Sequence, residues 1–295
     1  MTRLGLVFVP TLAPERLREV AQAADRAGLE ELWLWEDCFK ESGIAAASAA
    51  LAWTDRLHVG IGLLPVPLRN VALTAMEIAT VERLFPGRLV PGVGHGVQEW
   101  MSQVGARAAS PLTLLREYTT ALRALLAGQR VSTQGRYVRL DDVALDWPPA
   151  SAPELLGGGV GPKSLTLCAE LCDGTILTGG MTVEQVRSSC ATVRAARASA
   201  GLTGPHRIVV FVITATGDGA AERLDVERER WALDESASGG ADVGVAGDAA
   251  AVAAAYSALL EAGADTIVAQ PTADESDLES LIRFVATDVR TLLAT

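Results

Sequence analysis

The sequence predicts an α/β protein built as one (β/α)8 TIM barrel with a small insertion, and three observations support this. Short β-rich runs alternate with longer helical patterns along the chain, which is the order expected of βα units around a parallel sheet. About eight strand candidates can be counted on hydrophobic pattern. The chain has 295 residues, 49% of them hydrophobic, which suits one large core. We therefore expect a single domain over residues 1–295.

The first half of the barrel is predicted to hold four strands and three helices. In the first helix, Leu17, Val20 and Ala24 recur at the spacing of one helical face. The strands are expected at residues 4–9, 31–35, 57–64 and 88–93, and the helices at 14–27, 45–53 and 71–84.

The second half begins with a long amphipathic helix at 111–127, and the polar segment 130–149 is expected to be the small insertion. Thr182 and Gln185 form a predicted capping box, and Thr272 with Glu275 is expected to cap a closing helix that runs to Leu293. Residues 236–247 are small and are expected to be mobile. Four strands are expected at residues up to 156, 173–177, 208–214 and 265–269, with helices at 162–171 and 249–261.

Composition limits the partners that we expect. The formal net charge is −11 and no basic run occurs, which argues against nucleic acid. No membrane-spanning or targeting segment is expected, and we predict a cytoplasmic protein. The cysteines have neither paired CxxC spacing nor the density of a disulfide scaffold, and with only three histidines we expect no metal site.

Residues 156–164 are the most informative segment, because a glycine-rich turn runs from an apolar strand directly into a helix. Gly161 can be the N-cap and Pro162 the first helical residue, so that free amides point outward at the positive end of the helix. We call residues 157–161 the glycine loop and predict that it binds a phosphate. The alternative is a tight turn without a ligand. The binding residues proposed here are Gly157, Gly158, Gly159, Val160, Gly161, Lys163 and Ser164.

Other candidates follow the predicted strands, where βα loops build the active sites of such barrels. Glu36 and Asp37 come after the second strand and could do acid/base work or bind a cofactor edge, although a helix-capping acid pair is the alternative. His95 lies between two glycines after the fourth strand, which favours a site residue over a packed one. Thr178, after the sixth strand, could donate its hydroxyl to the same anion as the glycine loop.

The segment after the third strand, residues 62–67, is too apolar and proline-rich for an ordinary surface loop. It could form a flat wall against an aromatic ring, or it could pack in the core. An apolar slot beside a phosphate site suits a phosphorylated planar cofactor.

These motifs, in this order, resemble the bacterial luciferase-like family of flavin- and deazaflavin-dependent oxidoreductases, and most closely its coenzyme F420-dependent branch, which includes methylenetetrahydromethanopterin reductases. The match covers nearly the whole chain. It is based on Ala24-x-x-Ala27-Gly28, Leu32-Trp33-Leu34-Trp35-Glu36-Asp37, Gly87-Arg88-Leu89, Gly92-Val93-Gly94-His95-Gly96, Leu115-Arg116-Glu117-Tyr118, Gly161-Pro162-Lys163-Ser164, Cys172-Asp173-Gly174 and Val245-Ala246-Gly247-Asp248.

The resemblance implies hydride transfer with F420 and a set of site residues. Asp37 would approach the cofactor, and Gly62 and Leu63, followed by Leu64, would form a bulge, often with a cis peptide, that backs its ring. Gly94 and Gly96 would border the cofactor tail, and residues 157–164 would take the phosphate. The family also implies a homodimer.

Two departures from the family pattern affect the proton donor. Many deazaflavin-dependent members have histidine where this chain has Cys38, and sugar-phosphate members have glutamate where it has Val97. The remaining candidates, in falling order, are His95, Glu36 and Glu99.

The predicted function is hydride transfer between F420 and a small organic substrate. The alternatives are an FMN-dependent monooxygenase that uses reduced flavin and O2, and a non-catalytic flavin-binding homologue.

Overall fold

A computed structural model describes residues 2–232 and 243–293 of the chain. Residues 236–242 of the small-residue segment therefore lie outside the described residues. The strands are β1 Arg3–Phe8, β2 Glu31–Leu34, β3 His58–Pro65, β4 Leu89–Gly94, β5 Val131–Gln134, β6 Arg139–Val143, β7 Leu156–Gly158, β8 Gly174–Leu177, β9 Arg207–Ala215, β10 Val245–Ala246 and β11 Thr266–Gln270.

The helices surround these strands. They are α1 Leu17–Ala27, α2 Gly43–Ala52, α3 Val71–Leu84, α4 Gln98–Gln103, α5 Pro111–Leu126, α6 Pro162–Leu171, α7 Val183–Ser199, α8 Ala220–Ala232, α9 Ala249–Ala262, α10 Leu278–Arg283 and α11 Arg290–Leu293, with 3-10 turns at Pro14–Arg16 and Val66–Leu68 and a π-helical segment at Phe284–Val289. No described helix is long and apolar enough to cross a membrane.

The strands close into a parallel barrel in the order β1, β2, β3, β4, β7, β8, β9 and β11, with β11 paired back to β1. The short strand β10 extends one side by pairing with the end of β9. The predicted (β/α)8 barrel is thus confirmed. The small insertion is an antiparallel hairpin of β5 and β6, held to α5 by Glu117, whose carboxylate accepts three backbone N–H groups of the hairpin.

Large side chains fill the inside of the barrel. Trp33 is a register partner of Val7 and Gly60 on the neighbouring strands. A Cβ atom on Gly60 would lie 2.4 Å from the Trp33 ring, so only glycine leaves room for the indole. Phe211 meets Trp33 edge to face, with ring centroids 5.6 Å apart. The inside of the barrel is therefore a packed core and not a pore.

A polar network closes the end of the barrel where the strands begin. The Arg207 guanidinium bonds to Glu31, to Glu154 at 3.0 Å and to the Thr266 hydroxyl at 2.9 Å. Glu31 also accepts the indole N–H of Trp33 at 2.9 Å. Because Glu31 and Arg207 are buried, each needs the other to offset the loss of hydration.

Of the two helix N-caps predicted from the sequence, the structure confirms one and contradicts the other. Thr182 and Gln185 form the predicted capping box at α7. The cap predicted at Thr272 and Glu275 is wrong, because helix α10 begins later, at Leu278, with Asp277 as its N-cap accepting the amide of Ser280. Thr272 and Glu275 form a turn before it, in which the Glu275 amide donates to the Thr272 carbonyl at 3.0 Å.

Candidate active site

A cavity of about 1030 Å³ opens at the end of the barrel where the strands finish. Loops after the strands β2, β4, β7 and β8, together with the end of β3, supply its wall, and two barrel residues form its floor. The described lining residues are Trp35, Glu36, Asp37, Gly62, Leu63, Pro65, His95, Gly96, Val97, Gln98, Glu99, Trp100, Gly158, Gly159, Val160, Gly161, Ile176, Thr178, Gly179 and Phe211.

The middle of this wall is a bulge at Gly62 and Leu63. The register between β3 and β4 shifts there, and the peptide bond between the two residues is cis. The bulge and cis peptide implied by the family resemblance are therefore present. A Cβ on Gly94 or Gly158 would lie 2.5 or 2.4 Å from the Leu63 side chain. Glycine at both positions thus gives Leu63 its place between the strands.

The glycine loop forms the wall beside the bulge. Gly161 is the N-cap of α6 and Pro162 begins the helix, as predicted. Gly158, Gly159 and Gly161 line the cavity. Gly157 does not, because its α-carbon faces the sulfur atoms of Cys168 and Cys172, which would lie 2.6 and 2.9 Å from an added Cβ. Glycine at 157 serves strand-to-helix packing.

His95 and Ser164 join the loop after β4 to the start of α6. Nε2 of His95 lies 2.9 Å from Oγ of Ser164, which is 7% exposed. Burial lowers the pKa of His95, which favours a neutral imidazole at pH 7. Sequence patterns predicted each residue as a site candidate, but they gave no sign that the two side chains touch.

Glu36 and Asp37 supply acidic groups on the opposite side of the cavity from α6. Glu36 Oε2 accepts the Gly43 amide at 2.7 Å and the Arg69 guanidinium at 2.8 Å. Burial raises the pKa of Glu36, while Arg69 opposes this shift. Burial also raises the pKa of Asp37, and the nearby Lys40 opposes it. The alternative of a helix-capping acid pair applies in part, since Glu36 binds the first amide of α2.

The remaining predicted residues lie at different depths. Glu99 is exposed at the rim in the first turn of α4, and Thr178 lines the wall after β8. Leu64 and Gly94 are buried within β3 and β4 and are not among the lining residues. Lys163 lines a separate groove against α5, so its side chain is not brought together with the others.

Several lining residues were not predicted from sequence. Trp35 and Trp100 stand beside the predicted acids, and Ile176 and Phe211 form the floor. The signal for Trp35 was available, because it directly precedes Glu36 at the end of β2. Arg69 does not line the cavity but bonds to Glu36, and it gave no such signal, since it lies outside every motif used.

The site fits a flat, phosphorylated cofactor. The bulge, Ile176 and Phe211 form an apolar surface, and Gly158, Gly159 and Gly161 of the glycine loop line the wall beside it. The indole N–H of Trp35 is buried without a hydrogen-bond partner, so a donor is available to a ligand. Among residues 2–232 and 243–293, no group of three or more His, Cys, Asp or Glu side chains is placed to hold a metal ion.

Residues 5–281 match the family model of luciferase-like monooxygenases. The chain therefore belongs to the luciferase-like monooxygenase family, and the resemblance seen in its motifs is confirmed.

Three known proteins illustrate this relationship. Over 174 residues the chain is 28% identical to 5,10-methylenetetrahydromethanopterin reductase of Methanolobus tindarius, covering 59% of this chain and 53% of that protein. Over 182 residues it is 29% identical to the F420-dependent glucose-6-phosphate dehydrogenase of Nakamurella multipartita, covering 57% and 53%. The chain thus spans about half the length of the curated relatives it matches.

The third is a solved structure, an F420-dependent secondary alcohol dehydrogenase in complex with an F420-acetone adduct. It superposes with a TM-score of 0.88 at 19% identity, covering 99% of both chains. This likeness shows the shared fold over nearly the whole chain.

Proposed function

We propose that this protein is an oxidoreductase that transfers a hydride between coenzyme F420 and a small organic substrate. The observation that carries the proposal is the bulge at Gly62 and Leu63, which lies beside the glycine loop in one cavity with an apolar floor. The relative from Nakamurella multipartita, which is named as F420-dependent, supports this choice of cofactor.

Each part of the cavity has a task in this proposal. The bulge, Ile176 and Phe211 would hold the cofactor ring flat and exclude water from the reacting face. The amides of the glycine loop, with the Thr178 hydroxyl, would bind the phosphate at the positive end of α6. When bound, F420 supplies a ring carbon that accepts or releases the hydride.

Proton transfer needs a group on the chain itself. His95, Glu36 and Glu99 all line the cavity and remain the candidates. A neutral His95 could hold or accept a proton at either ring nitrogen, and Ser164 beside Nε2 fixes its orientation. Val97 stands where the sugar-phosphate members of the family have glutamate, which argues against sugar-phosphate oxidation as the activity.

An FMN-dependent monooxygenase is the second candidate. The matching family model is described as a luciferase-like monooxygenase, and the same apolar floor and phosphate wall would accept a flavin. In that case the cavity would have to shield the reduced flavin from water.

An anaerobic titration of the purified apoprotein with F420 and, separately, with FMN tests the proposal through cofactor fluorescence. We expect micromolar binding of F420 and much weaker binding of FMN, on the order of tenfold or more. The reverse preference would replace F420 transfer by the monooxygenase. Binding of neither cofactor would overturn both candidates and favour a non-catalytic homologue.

A further inference from the structure

The cavity offers few side-chain donors to an oxygen atom of a bound molecule. No lysine or arginine occurs among its described lining residues, and Glu36, Asp37 and Glu99 present carboxylates. Such an oxygen therefore depends on neutral donors. The imidazole of His95 is one such group, but the nitrogen that carries its proton decides whether the ring offers a ligand a donor or an acceptor.

Ser164 decides where the ring proton of His95 lies. Its hydroxyl stands 2.9 Å from Nε2, and the distance alone would allow either atom to donate. Ser164 is 7% exposed, and its hydroxyl has no other hydrogen-bond partner among residues 2–232 and 243–293. Because a buried O–H group without an acceptor is costly, the hydroxyl must donate to Nε2. A neutral ring then carries its proton on Nδ1.

The second ring nitrogen of His95, Nδ1, is open to the cavity. It has no hydrogen-bond partner in the described part of the chain, yet it is not among the polar atoms that are buried without one. Nδ1 therefore keeps accessible surface. His95 is half-buried and lines the cavity, and its neighbours Gly94 and Gly96 have no side chains that could cover the ring. The accessible N–H thus points to a ligand.

The surroundings of His95 favour the neutral ring. Burial lowers the pKa of its imidazole. Ser164 belongs to the first turn of α6, where the positive end of the helix also disfavours a cationic ring. The acids of the cavity act in the opposite direction, but none of them forms an ion pair with His95 within the described residues.

We propose that His95 is a neutral donor that binds an acceptor oxygen of the ligand through Nδ1–H, and that Ser164 is the positioning residue that keeps the proton on this nitrogen. The oxygen belongs either to a carbonyl group of the substrate or to the cofactor. The contact fixes and polarises that oxygen without transferring the proton. The inference rests on the proposed function for the identity of the cofactor, whereas the tautomer follows from the contact with Ser164.

Nitrogen NMR of protein with isotope-labelled histidine reads the tautomer at pH 7, and the three histidines of the chain keep the spectrum simple. His206 is an internal reference of the opposite kind. Its Nδ1 must accept from Arg197, since arginine only donates, so its proton lies on Nε2. The variants His58→Gln and His206→Gln assign the signals. We expect the ring proton on Nδ1 in His95 and on Nε2 in His206.

The role of Ser164 is tested by removing its hydroxyl. We expect Ser164→Ala to move the His95 proton to Nε2, the tautomer that predominates in free histidine. Ser164→Thr keeps a hydroxyl and should keep the proton on Nδ1. The matched control is Ser189→Ala, which removes a hydroxyl from an equally buried serine on α7. Thermal unfolding confirms that each variant folds.

Acetophenone and α-methylstyrene are matched probes of the ligand contact, because they have nearly the same flat shape and only the ketone has an acceptor oxygen. Each is added to the cofactor-free and to the F420-saturated protein. A downfield shift of the Nδ1 proton on adding F420 alone assigns the oxygen to the cofactor. A shift that appears only with acetophenone assigns it to the substrate.

In the second case calorimetry should show a preference of about fivefold for acetophenone over α-methylstyrene, the worth of one neutral hydrogen bond. His95→Leu should abolish this preference, because it removes the donor. In either case α-methylstyrene should leave the Nδ1 proton without a downfield shift.

A His95 proton on Nε2, a cationic ring at pH 7, an unchanged tautomer in Ser164→Ala, or no downfield shift with F420 or acetophenone would overturn the inference. Such a result together with tight F420 binding would leave the proposed function standing. Failure to bind F420 or FMN, with the proton retained on Nδ1 and shifted by acetophenone, would instead overturn the proposed function alone.

Discussion

The close packing of Gly159 against Ser164 determines the shape of the cavity wall at the glycine loop. A Cβ on Gly159 would lie 2.4 Å from Cβ of Ser164, and Ser164 in turn contacts His95. One methyl group at 159 would thus displace the start of α6 or the side chain that holds the imidazole. The same contact explains why a glycine is found at the point where the loop turns into the helix.

We predict that Gly159→Ala weakens cofactor binding about tenfold, or ~1.4 kcal/mol, because the loop must move away from α6. The measurement is the fluorescence titration of F420. Gly161→Ala is the matched control. It adds the same methyl group to the same loop, but nothing lies within 4 Å of the added Cβ, so it causes no collision with the protein. Unchanged affinity in Gly159→Ala would contradict the assignment of the glycine loop.

Sequence patterns located most individual candidates but not their contacts. Glu36, Asp37 and His95 do line one cavity, because carboxyl ends of parallel strands meet at one end of a barrel. Lys163 does not, because its position in the first turn of α6 turns the side chain toward α5. Arg69 was missed, since an arginine outside a motif gives no sign of the acid it will reach.

Elements with a strong hydrophobic pattern were predicted well, and short or polar ones were not. The barrel strands and helices α1, α3, α5 and α6 lie within a few residues of their expected places. Helix α4 has only six residues, and α8 is rich in charged side chains, so neither gave a clear pattern. Helix α10 begins at Leu278 because the Asp277 side chain accepts the amide of Ser280, a signal that competed with the Thr272 pattern.

His206 links three elements and should make stability depend on pH. Its ring accepts from Arg197 of α7 at 3.1 Å, and it bonds to Thr175 of β8 at 2.8 Å. Burial and the nearby Arg197 lower its pKa from 6.5 to about 4. The unfolded chain therefore binds more protons between these values, and the free energy of unfolding should fall as pH decreases through this range.

We predict that His206→Gln flattens this dependence, although the variant loses some stability at pH 7. Urea denaturation of wild type and variant at pH 7 and pH 5 measures the difference in slope. His95, whose pKa is also lowered by burial, keeps part of the dependence in the variant. An identical slope in both proteins would show that His206 does not carry the effect.

At the scale of the whole molecule, the two ends of the barrel have separate tasks. The cavity lies where the strands finish, and the buried network of Arg207, Glu31 and Glu154 lies where they begin. Changes in the network should therefore affect folding and leave ligand affinity unchanged.

We predict that Arg207→Met lowers the free energy of unfolding by roughly 3–5 kcal/mol, because Glu31 keeps a buried charge without its main partner. The double variant with Glu31→Gln should be more stable than Arg207→Met alone. Urea denaturation measures both, and F420 titration of the folded variants checks that affinity is retained. A loss below about 1 kcal/mol would show that water reaches the network.

The outer surface bears on the expected homodimer. Helix α3 exposes Leu73, Met76 and Leu84, at 48%, 57% and 66%, along one side. We predict that a second copy covers this side and that Met76→Glu shifts the protein toward monomer, measured by light scattering. Val226→Glu, an equally exposed apolar position on α8, should have no such effect. A monomeric wild type would refute the prediction.

The two tryptophans at the cavity have an optical consequence. Trp35 and Trp100 line the space in which a deazaflavin or flavin would lie. A deazaflavin and a flavin both absorb light in the range where indole emits, so excitation energy should pass from Trp35 and Trp100 to a bound cofactor ring. Replacing each tryptophan by phenylalanine in turn would show which indole lies nearer to the bound ring. The quenching of tryptophan fluorescence that remains in each variant would report the distance between the ring and the remaining indole.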